Sequence, residues 1–120
     1  MLRKLLLTAA LFVLPATAQA ASRVWISEYG VLTATNSGGV PAQAAALPAL
    51  VMQSTLDISG GVQSSAAFGS QTRYIRVICE VQCAVSGSGT ATTSNVLLPA
   101  LSPEYFGVQA GATISVIAAP

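Results

Sequence analysis

Histidine is absent from this 120-residue chain, and lysine occurs once, at Lys4. Charge of either sign is scarce, at 8% of residues, against roughly 25% in an average soluble protein. Each shortage excludes a chemistry. A serine or cysteine nucleophile needs a neighbouring base, normally His or Lys, and beyond residue 4 there is neither. Two cysteines and a few carboxylates fall short of a usual zinc ligand set. The four acids, Glu28, Asp57, Glu80 and Glu104, are scattered rather than clustered as a calcium loop requires. Beyond residue 20 only Arg23, Arg73 and Arg76 are basic, too few for a groove that tracks a nucleic acid. No glycine-rich loop both follows a strand and opens a helix, so a phosphate cradle lacks its scaffold. The sequence therefore points to no catalytic residue, no cofactor and no metal, and to a non-enzymatic protein. A glycosidase-type pair formed by two of the four acids meeting in the fold is the remaining enzymatic alternative.

The chain is rich in apolar residues, at 52%, the opposite of the low hydrophobicity and high charge that keep a chain disordered. Its length suits one domain. Arg3 and Lys4 open a basic start, residues 5–14 are apolar except for Thr8, Pro15 follows, and Ala18-Gln19-Ala20 is a small-x-small site. This is the pattern of a secretory signal peptide over residues 1–20, with cleavage expected after Ala20. The apolar run is shorter than the roughly 20 residues that span a bilayer, so no stable membrane insertion is expected after cleavage; an uncleaved anchor is the alternative. Residues 21–120 would form the single folded domain. They carry three arginines against four carboxylates, a formal charge of −1.

Export bears on Cys79 and Cys83, since an oxidising compartment favours pairing. If Glu80-Val81-Gln82 is a three-residue hairpin loop, the two cysteines stand opposite each other on neighbouring strands, within reach of a disulfide. Two small buried thiols are the alternative. A redox-active pair fits poorly, because the spacing is Cys-x-x-x-Cys and no basic residue adjoins it.

Strand periodicity dominates the rest. In residues 73–79, Ile75, Val77 and Cys79 share one face, and Tyr74 and Arg76 the other. Residues 23–29 alternate similarly, with Val24 and Ile26 opposite Trp25, Ser27 and Tyr29. Residues 36–39 read as a loop, and 41–48 as an Ala/Pro-rich linker or short helical turn. Residues 50–58 read as one strand, 64–68 as a weak strand, and 83–85 as the hairpin partner of 71–79. A Gly/Ser/Thr loop covers 87–95, a short strand 96–98, and a last hairpin pairs 104–108 with 113–118 across a turn at Gly111. Seven or eight short strands imply an all-β fold, an antiparallel sandwich or small barrel. Trp25, Tyr29, Tyr74 and Tyr105 are the candidate interface residues, as contact anchors or as core. Strand alternation lets only one of Tyr105 and Phe106 face the core. The 87–95 loop is either a ligand contact or a mobile connection.

The ordered set Thr72-Arg73-Tyr74-Ile75-Arg76-Val77, Cys83-Ala84-Val85, Thr90 to Ser94, Leu98-Pro99-Ala100, Pro103 to Val108, Gly111 and Ile114 to Ile117 resembles small β-rich structural proteins of tailed phages and prophages. The resemblance covers roughly residues 50–118 and, more loosely, Val24 to Tyr29. It implies a decoration-like, virion-associated protein that works through repeated contacts, either self-association or a capsid or tail lattice, and it carries over no catalytic residue. The leader points instead to an exported surface or periplasmic binding module, adhesin-like, with a saccharide or protein ligand. Localisation divides the same way, virion for the first and periplasm or exterior for the second.

Overall fold

The computed structural model describes residues 21–37 and 40–120; the expected leader, residues 1–20, lies outside them. The described residues form eleven strands and no helix. In chain order they are β1 (Arg23–Tyr29), β2 (Leu32–Ser37), β3 (Val40–Ala45), β4 (Val51–Met52), β5 (Leu56–Asp57), β6 (Gln63–Ser64), β7 (Tyr74–Cys79), β8 (Cys83–Ser86), β9 (Val96–Leu98), β10 (Glu104–Gly107) and β11 (Ser115–Ala118).

Two antiparallel sheets face each other as a β-sandwich. One runs β10-β7-β1-β4, with β5 also paired to β1; the other runs β6-β11-β8-β9. Their inner faces follow from alternation. Val24 and Ile26 of β1 and Ile75, Val77 and Cys79 of β7 meet Cys83 and Val85 of β8, Leu98 of β9 and Val116 of β11, with Ile58, Phe68 and Ile114 closing the ends. Burying an aliphatic side chain of this size contributes about 1.5–3 kcal/mol, while the described residues hold a single ion pair. Phe106 packs against this core while Tyr105 points outward, the division that alternation required.

Several local expectations are corrected. Residues 41–48 are not a linker throughout: Val40–Ala45 is strand β3, antiparallel to β2, with Pro41 opposite Asn36. A two-stranded ribbon is all edge, and edges accommodate the missing N–H of proline. Asn36 and Ser37 accordingly lie in strand rather than loop, while Gly38 and Gly39 fall outside the described residues. The single strand expected over 50–58 is split into β4 and β5, both paired with β1. The break falls at Gln53, whose side chain is engaged by Glu28 and by the Ala66 backbone. Of the weak 64–68 strand, only Ser64 belongs to a strand, β6.

Neither expected hairpin forms. β7 already has β1 on one side and β10 on the other, so no edge is free for Cys83–Ser86, which joins the second sheet. Strands β10 and β11 likewise separate, β10 to β7 and β11 to β8 and β6. Gly111 still turns the chain with φ 79°, but the turn carries it from one sheet to the other. The 87–95 loop folds back on the second sheet: Ala91 is buried, and its N–H donates to Ser115 Oγ at 2.9 Å.

Cys79 and Cys83 are disulfide-bonded, with Cα atoms 6.3 Å apart. The pairing was expected, but its setting differs. The bond clamps the corner where the chain leaves one sheet for the other, and both residues are fully buried. Paired buried cysteines of this kind belong to an oxidising compartment, extracellular or periplasmic. No helix of the described residues is long and apolar enough to cross a membrane.

Candidate functional site

The outward face of the first sheet gathers the aromatic residues. Register places Tyr29 of β1 directly opposite Tyr74 of β7, and Tyr105 of β10 opposite Arg76. Tyr29 and Tyr74 stack with ring centroids 5.1 Å apart and planes at 12°. Tyr74 and Tyr105 lie tilted at 6.4 Å. Three strands thus deliver one ladder of tyrosines, a cross-strand arrangement that stabilises the sheet.

The ladder is graded in exposure. Tyr29 is buried at its inner end, and Tyr74 is half-buried, with its hydroxyl donating to the Val31 carbonyl at 3.4 Å. Tyr105, at the outer end on the edge strand, is 52% exposed. Desolvation, reinforced by the neighbouring Tyr29 and Tyr105, holds the Tyr74 phenol above its ordinary range, so it remains a neutral donor. Of the four sequence candidates, the structure brings Tyr29, Tyr74 and Tyr105 together. Trp25 sits four residues along β1 on the same face, with the Arg23 guanidinium 5.3 Å above its ring.

Arg23 is held from its other side by Glu80. Its Nε and Nη2 donate to the two carboxylate oxygens at 3.1 and 3.0 Å, and its backbone N–H donates at 3.0 Å. The Arg23 side-chain hydrogen bonds draw the Glu80 carboxyl down to about 2. Ser27 lies buried between the aromatic groups and donates to Met52 Sδ at 3.3 Å. Met52 is 67% exposed, and Leu50 and Val51 beside it are also exposed. Arg76, half-buried beside Tyr105, makes no ion pair among the described residues.

Sequence reasoning passed over a second feature, the buried carboxylate of Glu28. It follows Val24 and Ile26 in phase along β1, so the alternation that defines the inner face already pointed it inward. Only 2% exposed, it accepts hydrogen bonds from Thr72 Oγ1 at 2.6 Å, the Gly69 N–H at 2.9 Å and Gln53 Nε2 at 2.9 Å. Burial raises its pKa, but the three donors outweigh burial and leave the carboxyl below its ordinary range. It borders an open cleft of about 420 Å³ whose walls include Val51, Met52, Leu56, Ala66 and Ala67.

Among the described residues no three metal-ligating side chains converge. No family model, curated protein or solved structure matches the chain.

Proposed function

We propose that this chain is an exported, non-enzymatic β-sandwich module that works through protein–protein contacts made by the outer face of its first sheet, with copies of itself as the first partner. The observation that carries the reading is the tyrosine ladder ending in half-exposed Tyr105, with exposed Met52 across the same sheet. Half-buried aromatics held in fixed rotamers are the usual anchors of protein interfaces. A formal charge near zero puts no repulsion between copies. The buried disulfide favours export.

A saccharide platform fits this face less well. Sugar stacking needs open ring faces, yet Tyr29 and Tyr74 cover one face of each other, and Arg23 covers one face of Trp25. A second reading, a particle-bound decoration protein, draws on the ordered residues that resemble phage structural proteins, which here become β7 to β11.

A photo-crosslinking residue at position 105 tests the proposal. Adducts at the mass of a dimer are expected from position 105 and not from position 97, which lies exposed on the second sheet. Equal adducts from both positions, or none, would defeat it. Adducts to a capsid or tail protein would select the particle reading.

A further inference from the structure

Glu28 presents an energetic question that the contact reading leaves open. A carboxylate taken out of water costs several kcal/mol unless a cation or enough hydrogen bonds replace its hydration. No cation approaches it among the described residues, where the one ion pair is Arg23–Glu80. Its donors, a hydroxyl, a backbone amide and a side-chain amide, are all neutral. They keep the group ionised without cancelling its charge.

The geometry of those bonds specifies what is missing. An ionised carboxylate offers about four acceptor positions. Oε1 receives two donors, Thr72 and Gly69, while Oε2 receives one, from Gln53. Among the described residues nothing fills the fourth position, on Oε2. The Gln53 amide is fixed in turn, because its Oε1 accepts the Ala66 N–H at 3.1 Å and its Nε2 also donates to the Ala66 carbonyl. The donor set is therefore preorganised, and the cleft beside it is walled by aliphatic groups.

We propose that this cleft is a binding site for an ammonium group on a short apolar stem. A compact ammonium can direct one of its three N–H donors to the open position on Oε2 and keep the other two in water at the open mouth of the cleft. A guanidinium would want both oxygens for its fork, and Oε1 is already filled. Val51, Met52 and Leu56 would lie along the hydrocarbon stem, as they do for other snorkelling cations. No lysine of residues 21–120 can fill the site, since they contain none. The cleft shares Met52 with the outer face but none of the tyrosines, and the site does not rest on the contact proposal.

Titration of the isotope-labelled protein with n-butylammonium chloride, followed by amide NMR, tests it. Saturable shifts at Gly69, Ala66 and the Gln53 side chain are expected, with a dissociation constant in the millimolar range. n-Butanol and n-butylguanidinium should produce markedly smaller shifts. Glu28→Gln should weaken binding by about tenfold or more. Should that variant fail to fold, Ala67→Phe supplies the second arm: Ala67 is an exposed wall residue, and filling its wall should block binding while leaving the carboxylate in place. A capped Gly-Lys-Gly peptide binding as tightly as butylammonium assigns the site to a partner's lysine; binding of butylammonium alone assigns it to free amines. Absence of saturable shifts, equal shifts with butanol, or unchanged binding in both variants would overturn the site.

Discussion

Individual residues carry two tests of the structure. Leu101 has φ 57° and is 66% exposed, while its N–H donates to the Cys79 carbonyl at 2.7 Å. A left-handed conformation costs a side-chain-bearing residue about 1–2 kcal/mol, and an exposed leucine returns little by packing. Leu101→Gly should therefore stabilise the fold by about 0.5 kcal/mol, after glycine's greater unfolded-state freedom is counted; chemical denaturation measures it. The carboxylates set a pH dependence. Glu80, through Arg23, and Asp57, through Ser59, have lowered folded-state pKa values, and Glu28 is lowered on balance against burial. A carboxyl lowered in the folded state stabilises it above the unfolded value and loses that contribution as pH falls through the folded one. Stability should hold steady above pH 4.5 and decline from there toward pH 2, the window set by Glu80. Thermal unfolding of wild type and Glu80→Gln should converge at the acid end.

Elements explain what the sequence disclosed and what it withheld. Strand existence was legible wherever one face is core: β1 and β7 alternate because Val24, Ile26, Ile75 and Val77 point into the sandwich. Strand partnership was not legible. Residues 79–83 and 107–115 have the local chemistry of hairpins, but β7 is saturated by β1 and β10, and that long-range fact has no local signal. Ribbon β2-β3 was hidden for a different reason: the Ala and Pro residues of Val40–Ala45 read as a linker, and nothing in their sequence alternates. Core β7 should be the most sensitive element. Ile75→Ala should cost about 2–5 kcal/mol, from lost burial plus the cavity left behind. The corner between β7 and β8 should be less sensitive. Replacing both cysteines by alanine removes a bond closing a very short loop, so the loss should stay below roughly 3 kcal/mol. Because the disulfide links two sheets, that loss should appear as faster amide exchange in β8 as well as β7.

At the scale of the whole molecule, the few charges, the buried disulfide and the aromatic face fit one account. With so little charge, much of the polar surface of the sandwich is Ser, Thr, Gln and Gly, and the outer face of the first sheet carries the tyrosine ladder. Trp25, Tyr29, Tyr74 and Tyr105 were legible as interface-or-core candidates, with Tyr105 and Phe106 left undivided; their stacking was not legible, because it depends on register between β1, β7 and β10. Glu28 was legible by phase and was overlooked because an acid on an apolar face runs against composition rules. Tyr105 is the most exposed member of the ladder, so the contact account depends on it most. An interface tyrosine of this kind typically contributes about 2 kcal/mol, roughly thirtyfold in affinity. The decisive measurement is sedimentation velocity of the disulfide-bonded protein beside its Tyr105→Asp variant over a range of concentrations. Concentration-dependent association of the wild type, with the variant monomeric at the same concentrations, is the predicted result; a wild type that stays monomeric throughout, or a variant that associates equally well, would contradict it.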